Sequence, residues 1–275
     1  LFITQSTLSQ QILNLEREFD QQLFVRNSHE VVLTEAGQLL LPHAHASINA
    51  AESCVTLLQE LKHLLTGELN IGVTFSFSSI MAETMGAFLK QYPRVKLNVC
   101  YASMAELMER LQHHELDLVL AFKPTQPDEH VESQVLFRTR LAAVMGECHP
   151  MAHRKLISLK ELEPYSLALP AVGLQARHAF EKVINGCNLS LKIKAEINNV
   201  NLLFKLIRQS TYITILAQSA VVGENGLKAV PIDSPLGYME GCIHTLRNGY
   251  TKHAAREFIR MLSTPATLWK DITLP

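Results

Sequence analysis

The sequence predicts an α/β chain in three parts, and its hydrophobic pattern carries that prediction. A short amphipathic helix and a two-stranded ribbon come first, and a single helix of about 30 residues follows. About 200 residues that alternate strands with helices complete the chain. Several of the later strands are unbroken apolar runs, such as Leu118-Val119-Leu120-Ala121-Phe122. Runs of that kind belong in sheets covered on both faces.

Leu8, Ile12, Leu15 and Phe19 recur at spacings of three and four, so residues 6–19 read as the short helix, with Thr4 as its N-cap. Leu23-Phe24-Val25-Arg26 and Val31-Val32-Leu33 flank the polar stretch Asn27-Ser28-His29-Glu30, the pattern of a small hairpin. Thr34 then caps the long helix, with Glu35 in its first turn. Apolar residues from Ala36 through Leu40, Ile48 and Val55 to Leu61 and Leu65 keep helical spacing, and Pro42 lies near enough to the start to bend the helix without ending it. So long an amphipathic helix between domains usually pairs with another helix.

From Glu68 onward, strands are expected at 69–75, 95–101, 117–122, 141–147, 166–169, 193–197, 212–216, 227–232 and 238–246. Helices are expected at 79–91, 104–113, 175–186, 200–210 and 252–263. This pattern suits one two-lobed unit or two small domains.

Composition removes several classes of function. The chain has 275 residues, 47% of them hydrophobic, and a formal charge of −1, so any contact with nucleic acid must be local. Five scattered cysteines without a C-x-x-C pair suggest neither a zinc ribbon nor a disulfide framework, and fit a reducing cytoplasm. No apolar stretch approaches a membrane span, and no signal-peptide layout is seen. The histidines His149 and His153, His43 and His45, and His113-His114 lack the placement of a metal set. No nucleophile motif or phosphate loop appears, so neither an enzyme nor a bound cofactor is expected. The chain opens at Leu1 and runs at once into what reads as the end of a helix, so a preceding N-terminal piece is expected.

The segment Thr4-Gln5-Ser6-Thr7-Leu8-Ser9-Gln10-Gln11-Ile12-Leu13-Asn14-Leu15-Glu16 resembles the recognition helix of LysR-type bacterial transcription regulators. The resemblance continues through Leu23-Phe24-Val25-Arg26 and Leu33-Thr34-Glu35-Ala36-Gly37, and in the later part through Gly67–Gly72, Tyr92–Val95, Glu115–Val119 and Cys148–Ala152. It covers essentially the whole chain. Within the family, Val73–Ser79, Ala121–Pro124 and Ile207–Thr211 look most like the cyanate-responsive cyn operon branch. The resemblance implies a partial winged helix-turn-helix at 1–37 and a linker and dimerisation helix at 38–66. It further implies a two-lobed, periplasmic-binding-protein-like effector domain (type 2) at 67–275. Lobe I is expected at 67–138 and 250–275, and lobe II at 139–249. Antiparallel helix pairing into a homodimer or homotetramer is implied as well. The chain departs from the family at His29, where a second wing arginine is common, and at Gln10, where a basic residue is frequent. It also carries Ser210-Thr211-Tyr212 in place of a Gly-x-Gly.

A recognition helix reads base edges from its N-terminal residues. Gln5, Ser6, Thr7, Ser9 and Gln10 are the DNA-reading candidates, with Arg26 on the hairpin for a phosphate or the minor groove. Residues 1–37 hold Arg17 and Arg26 against Glu16, Glu18, Asp20, Glu30 and Glu35, which weakens that affinity. In the later part, the hydroxyl-rich turn Thr74–Ser79 precedes a helix, and helix N-termini suit anions. Thr74, Ser76, Ser78, Ser79, Lys123 and Asn199 are therefore the candidates for a small anionic or carboxylate effector in an interlobe cleft. Three readings stay open here: an effector-controlled DNA-binding regulator, a two-lobed solute-binding protein serving a transporter, and a sensor fragment that dimerises without binding DNA.

Overall fold

The computed structural model describes residues 4–26, 30–60, 66–247 and 251–263. His29 at the hairpin tip, and Leu61 and Leu65 of the long helix, lie outside the described residues. The chain divides into two compact units, residues 1–55 and 56–275.

In the first unit, α1 (Gln5–Phe19) starts on Thr4, whose Oγ1 accepts from Thr7 N at 3.2 Å, and ends on Asp20 in the left-handed region. It buries no residue; Leu8, Leu15 and Phe19, the apolar positions that predicted it, are exposed. Strands β1 (Phe24–Arg26) and β2 (Val31–Leu33) pair antiparallel. The Glu16 carboxylate ties them to α1 by accepting from both Leu23 N and Phe24 N, at 2.8 and 3.1 Å. Thr34 makes the next joint: its hydroxyl donates to Gln22 O and accepts from Gly37 N, capping α2 (Glu35–Glu60). Gly37 is required there, since a Cβ would stand 2.2 Å from Leu23 O. Pro42 lies inside α2; with no N–H to give, it leaves the Gln38 carbonyl without its helical donor.

The second unit is built on a strand that serves two sheets. Strands β3 (Gly67–Val73), β4 (Val95–Tyr101) and β5 (Leu118–Phe122) are parallel in the order β4-β3-β5. The crossover helices α3 (Ser78–Gln91) and α4 (Met104–Gln112) pack into separate apolar clusters, as right-handed crossovers running in opposite directions require. Covered on both faces, β5 is buried at every residue. Next comes β6, which runs without a break from Val131 to Gly146. Its first ten residues pair with β11 (Tyr238–Leu246), which in turn pairs with β5. Its last six pair with β9 (Thr214–Ala217) and β10 (Leu227–Pro231) in the second lobe. That lobe is completed by β7 (Ser166–Pro170) parallel to β8 (Lys192–Ile197), with α5 (Gln175–Ile184) and α6 (Val200–Arg208). Helix α7 (His253–Ser263) returns to the first lobe, where Phe258 stacks edge-on against Phe88 at 5.1 Å.

Two expectations need correction. The strand expected at 141–147 begins ten residues earlier, because Val131 and Phe137 bury against the first lobe while the residues between them face solvent. The return between lobes was expected after residue 249; the pairing of β11 with β5 carries 238–246 in the sheet of the first lobe.

The β6–β11 crossing is tightly filled. A Cβ on Gly241 would lie 2.4 Å from the Phe137 ring. Cys242 is fully buried, and burial pushes its thiol up to about 11, so it stays protonated. His244, also fully buried, bonds through Nδ1 to Ser133 Oγ at 2.8 Å and through Nε2 to Ala121 O at 3.2 Å. Both bonds form with a neutral ring that donates from Nε2 and accepts at Nδ1.

Two predictions follow from these joints. Gly37→Ala should cost the first unit about 2 kcal/mol, because its Cβ meets backbone that cannot turn aside. Gly86→Ala, where the Cβ meets nothing within 4 Å, should be neutral or stabilising; amide exchange in each unit reads both. Burial also holds His244 and His149 below the ordinary imidazole value of 6.5. Between that value and the lower folded one, the unfolded chain takes up protons that the folded chain refuses. Stability present above this window is therefore lost as pH falls through it. The urea midpoint should drop from about pH 7 to about pH 5, and His244→Gln should flatten part of the slope.

Candidate functional site

The chain brings its candidate residues to two places, one in each unit. On α1, Gln5, Ser6, Thr7 and Gln10 are exposed and Ser9 is half-buried. The Ser6 and Thr7 hydroxyls contact Thr4 Oγ1 at 2.8 and 2.9 Å, and Gln10 Nε2 donates to Asn14 Oδ1 at 3.1 Å. Gln5 heads the helix, where backbone N–H groups are unsatisfied and the dipole is positive, the end that suits a phosphate. Arg26 is the last residue of β1. Sequence reasoning missed Glu16, which reads as one more polar helix position. Its distance from Leu23 in the chain hides its role in anchoring the helix to the ribbon.

In the second unit, a cleft of about 700 Å³ opens at the C-terminal ends of β3, β4, β7 and β8. It lies at the carboxyl ends of these strands, the usual ligand position in such sheets. Thr74, Ser76, Ser78 and Asn199 line it, joined by Tyr101, Gln175, Asn198, Asn201 and Glu224. Several of these are already committed. Thr74 Oγ1 reaches Leu120 O at 3.4 Å, Ser78 Oγ donates to Phe75 O at 2.6 Å, and Asn199 Oδ1 caps α6 by accepting from Leu202 N at 3.0 Å. Ser76 and the start of α6 remain to meet a ligand. Among the described residues no lysine or arginine lines this cleft, and the carboxylate of Glu224 is ion-paired with Arg208.

Two candidates lie elsewhere. Ser79 Oγ donates to Val222 O at 2.7 Å, joining the first turn of α3 to the second lobe. Lys123 pairs with Glu240 at 3.0 Å and faces a different cavity. Glu240, on β11, is 117 positions away, so nothing local announces the pair. Lys123 and then Arg138 hold the Glu240 carboxyl below the usual carboxylate range.

The most informative side chain in the cleft was read only as the start of a helix. Gln175 Oε1 accepts from Phe122 N at 3.0 Å while its Nε2 donates to Phe122 O at 2.8 Å. One amide thus satisfies both backbone groups at the end of β5, as a neighbouring strand would, and bridges the lobes. Among the described residues no group of His, Cys, Asp and Glu is placed to hold a metal.

A helix with a two-stranded wing, followed by a two-lobed unit with a polar cleft at its strand ends, defines a ligand-controlled DNA-binding regulator. Comparison with known proteins agrees. Residues 1–38 match the model of the bacterial regulatory helix-turn-helix protein, lysR family, and residues 62–265 match the LysR substrate binding domain. The chain belongs to the LysR family of transcription regulators. It is 28% identical over 222 residues to the nitrogen assimilation regulatory protein nac of Escherichia coli, covering 80% of this chain and 72% of that protein. It is 25% identical over 232 residues to the transcriptional activator CmpR of Synechocystis, covering 84% and 76%. Among solved structures, a full-length OxyR variant from Pseudomonas aeruginosa superposes with a TM-score of 0.76 at 19% identity, over 99% of this chain and 90% of that one. The regulatory domain of Synechocystis CcmR, in complex with 2-PG, superposes with a TM-score of 0.65 at 18% identity, over 76% and 100%. These memberships make the chain a regulator and not an enzyme, and decide against the transporter-serving reading. No described helix is long and apolar enough to cross a membrane.

The amide bridge makes its own prediction. Gln175→Leu keeps the volume but strips two half-buried backbone groups of their partner, which should cost about 1–3 kcal/mol. A lowered thermal midpoint with unchanged secondary structure checks it; an unchanged midpoint would mean that water replaces the amide without loss.

Proposed function

We propose that this LysR-type regulator responds to a small anion held in the cleft between Ser76 and the start of α6, and that the anion sets how its α1 helices read DNA. The observation that carries the reading is the cleft itself: hydroxyl and amide groups and a helix N-terminus converge at the carboxyl ends of strands, with no lysine or arginine among the described residues that line it. CcmR, the neighbour solved with 2-PG, supports an anionic effector by analogy. Gln5, Ser6, Thr7, Ser9, Gln10 and Arg26 are proposed to contact DNA. The proposed division is a DNA-reading segment at 1–37, a dimerising helix at 38–66 and the effector domain from 67. Leu39, Leu41 and Ile48 stand exposed on α2, apolar surface that supports pairing into a homodimer or homotetramer. A cytoplasmic location fits a DNA-binding protein with free cysteines. The segments shared with the cyanate-responsive branch make cyanate the first anion to try.

The test is a footprint on the DNA flanking the protein's own gene, with and without sodium cyanate or bicarbonate. A specific footprint that changes with the anion is expected. Ser76→Ala should raise the anion concentration required about tenfold, the scale of one hydrogen bond to a charged group, while leaving the anion-free footprint intact. No specific protection under any condition would overturn the DNA assignment. A footprint indifferent to anions and to Ser76→Ala would overturn the cleft assignment alone.

A further inference from the structure

The Gln175 bridge has two sides, and the cleft described above occupies one of them. On the other, bounded by Gln175 and Met104, lies a separate cavity of about 1310 Å³. Its chemistry differs. Among the described residues that line it, three cations, Lys123, Arg138 and Lys182, face one carboxylate, Glu240, so the wall they form carries positive charge in excess. Glu240 holds Lys123 with one oxygen and Arg138 with the other, both at 3.0 Å, on the first lobe. Lys182 stands opposite them on α5 of the second lobe, and its ammonium donates to a neutral partner, Thr125 Oγ1, at 2.6 Å. Between the charged groups the wall is apolar: Phe122, Pro124, Ala179 and Pro235 line it, and Leu236 and Tyr238 stand 64% and 53% exposed beside it.

We propose that this cavity is a second ligand site, taking an amphipathic organic anion whose apolar body lies on Pro124, Leu236 and Tyr238 and whose single carboxylate or sulfonate meets Lys182. A bare inorganic anion would leave the apolar wall wet. A polyanion would have to compete with Glu240 for the cations it already holds. A monoanion with an apolar body satisfies both walls, which is how ligand sites combine area with a few charged contacts. Because Lys182 belongs to one lobe and Lys123 and Arg138 to the other, the ligand touches both lobes across the same bridge that bounds the effector cleft. Binding there favours one lobe geometry in proportion to its difference in affinity between them.

The site is independent of whichever effector fills the first cleft, and the probe can be generic. The full chain is titrated with 1-anilinonaphthalene-8-sulfonate, an apolar body with one sulfonate, and its fluorescence is followed. Saturable binding is expected, weakened about fivefold by the pair Lys182→Gln and Arg138→Gln, the scale of two exposed ion contacts. Lys182→Glu should weaken it further, and Ser76→Ala in the other cleft should leave it unchanged. All three positions are exposed or half-exposed, and an unchanged thermal midpoint confirms folding. Binding that follows Ser76→Ala and ignores the lysine would place the dye in the effector cleft and overturn the proposal. Binding indifferent to every variant, or failing to saturate, would overturn it equally.

Discussion

The second unit depends on the crossing of β6 and β11, two antiparallel strands held side by side where the lobes meet. Because β6 continues through both sheets, each lobe inherits its strand directions from the other. The strand ends that carry ligand-facing turns are thereby aimed into a shared space. The crossing is closely packed: the Phe137 ring occupies the place of a side chain at Gly241, and Cys242 and His244 are fully buried.

Across the rest of the interlobe space, the ties are mixed. Ser79 to Val222, Gln175 to Phe122 and Lys182 to Thr125 join one lobe to the other by hydrogen bonds, and Phe75 packs edge-on against Phe204 at 5.7 Å. A net hydrogen bond in water is worth about 1 kcal/mol, so these contacts select a lobe geometry without locking it. A ligand that adds two or three bonds across the same space competes on equal terms. A regulator needs that balance, because an effector shifts an equilibrium only by its difference in affinity for the two states.

What could be read from the sequence follows the range of each interaction. The apolar run 118–122, the helices of lobe one and the two-lobed plan were legible because burial on both faces leaves a continuous local signal. The family motif around Thr34-Glu35-Ala36-Gly37 was legible as a pattern, and the structure gives its reason: a cap at Thr34 and a close backbone approach at Gly37. The first half of β6 was not legible. Val131-Glu132-Ser133-Gln134-Val135 buries only its first residue, so most of its stability as a strand comes from β11, more than a hundred residues away. At the proposed site, the hydroxyl turn and Asn199 line one cleft. Lys123 faces another cavity, because its position is set by Glu240, and Gln175 was overlooked because a glutamine that substitutes for a strand carries no local mark.

The charges divide the chain's tasks in a way that composition conceals. A formal −1 describes a molecule whose positive groups are spent in different places. Among the described residues no lysine or arginine lines the proposed effector cleft, so an anion there would meet dipoles and neutral donors, whose strength depends on alignment more than on ionic strength. Beyond Gln175 the cations gather, and Glu240 holds two of them in position instead of cancelling the cavity's charge. In the first unit, Glu16 is counted among the acids opposed to DNA, yet its carboxylate is occupied by Leu23 N and Phe24 N. That bond orients α1 on its ribbon, and orientation is what a recognition helix supplies when its own charge is weak. Repeating the head would raise that affinity, and the exposed apolar residues of α2 suit the pairing proposed for it.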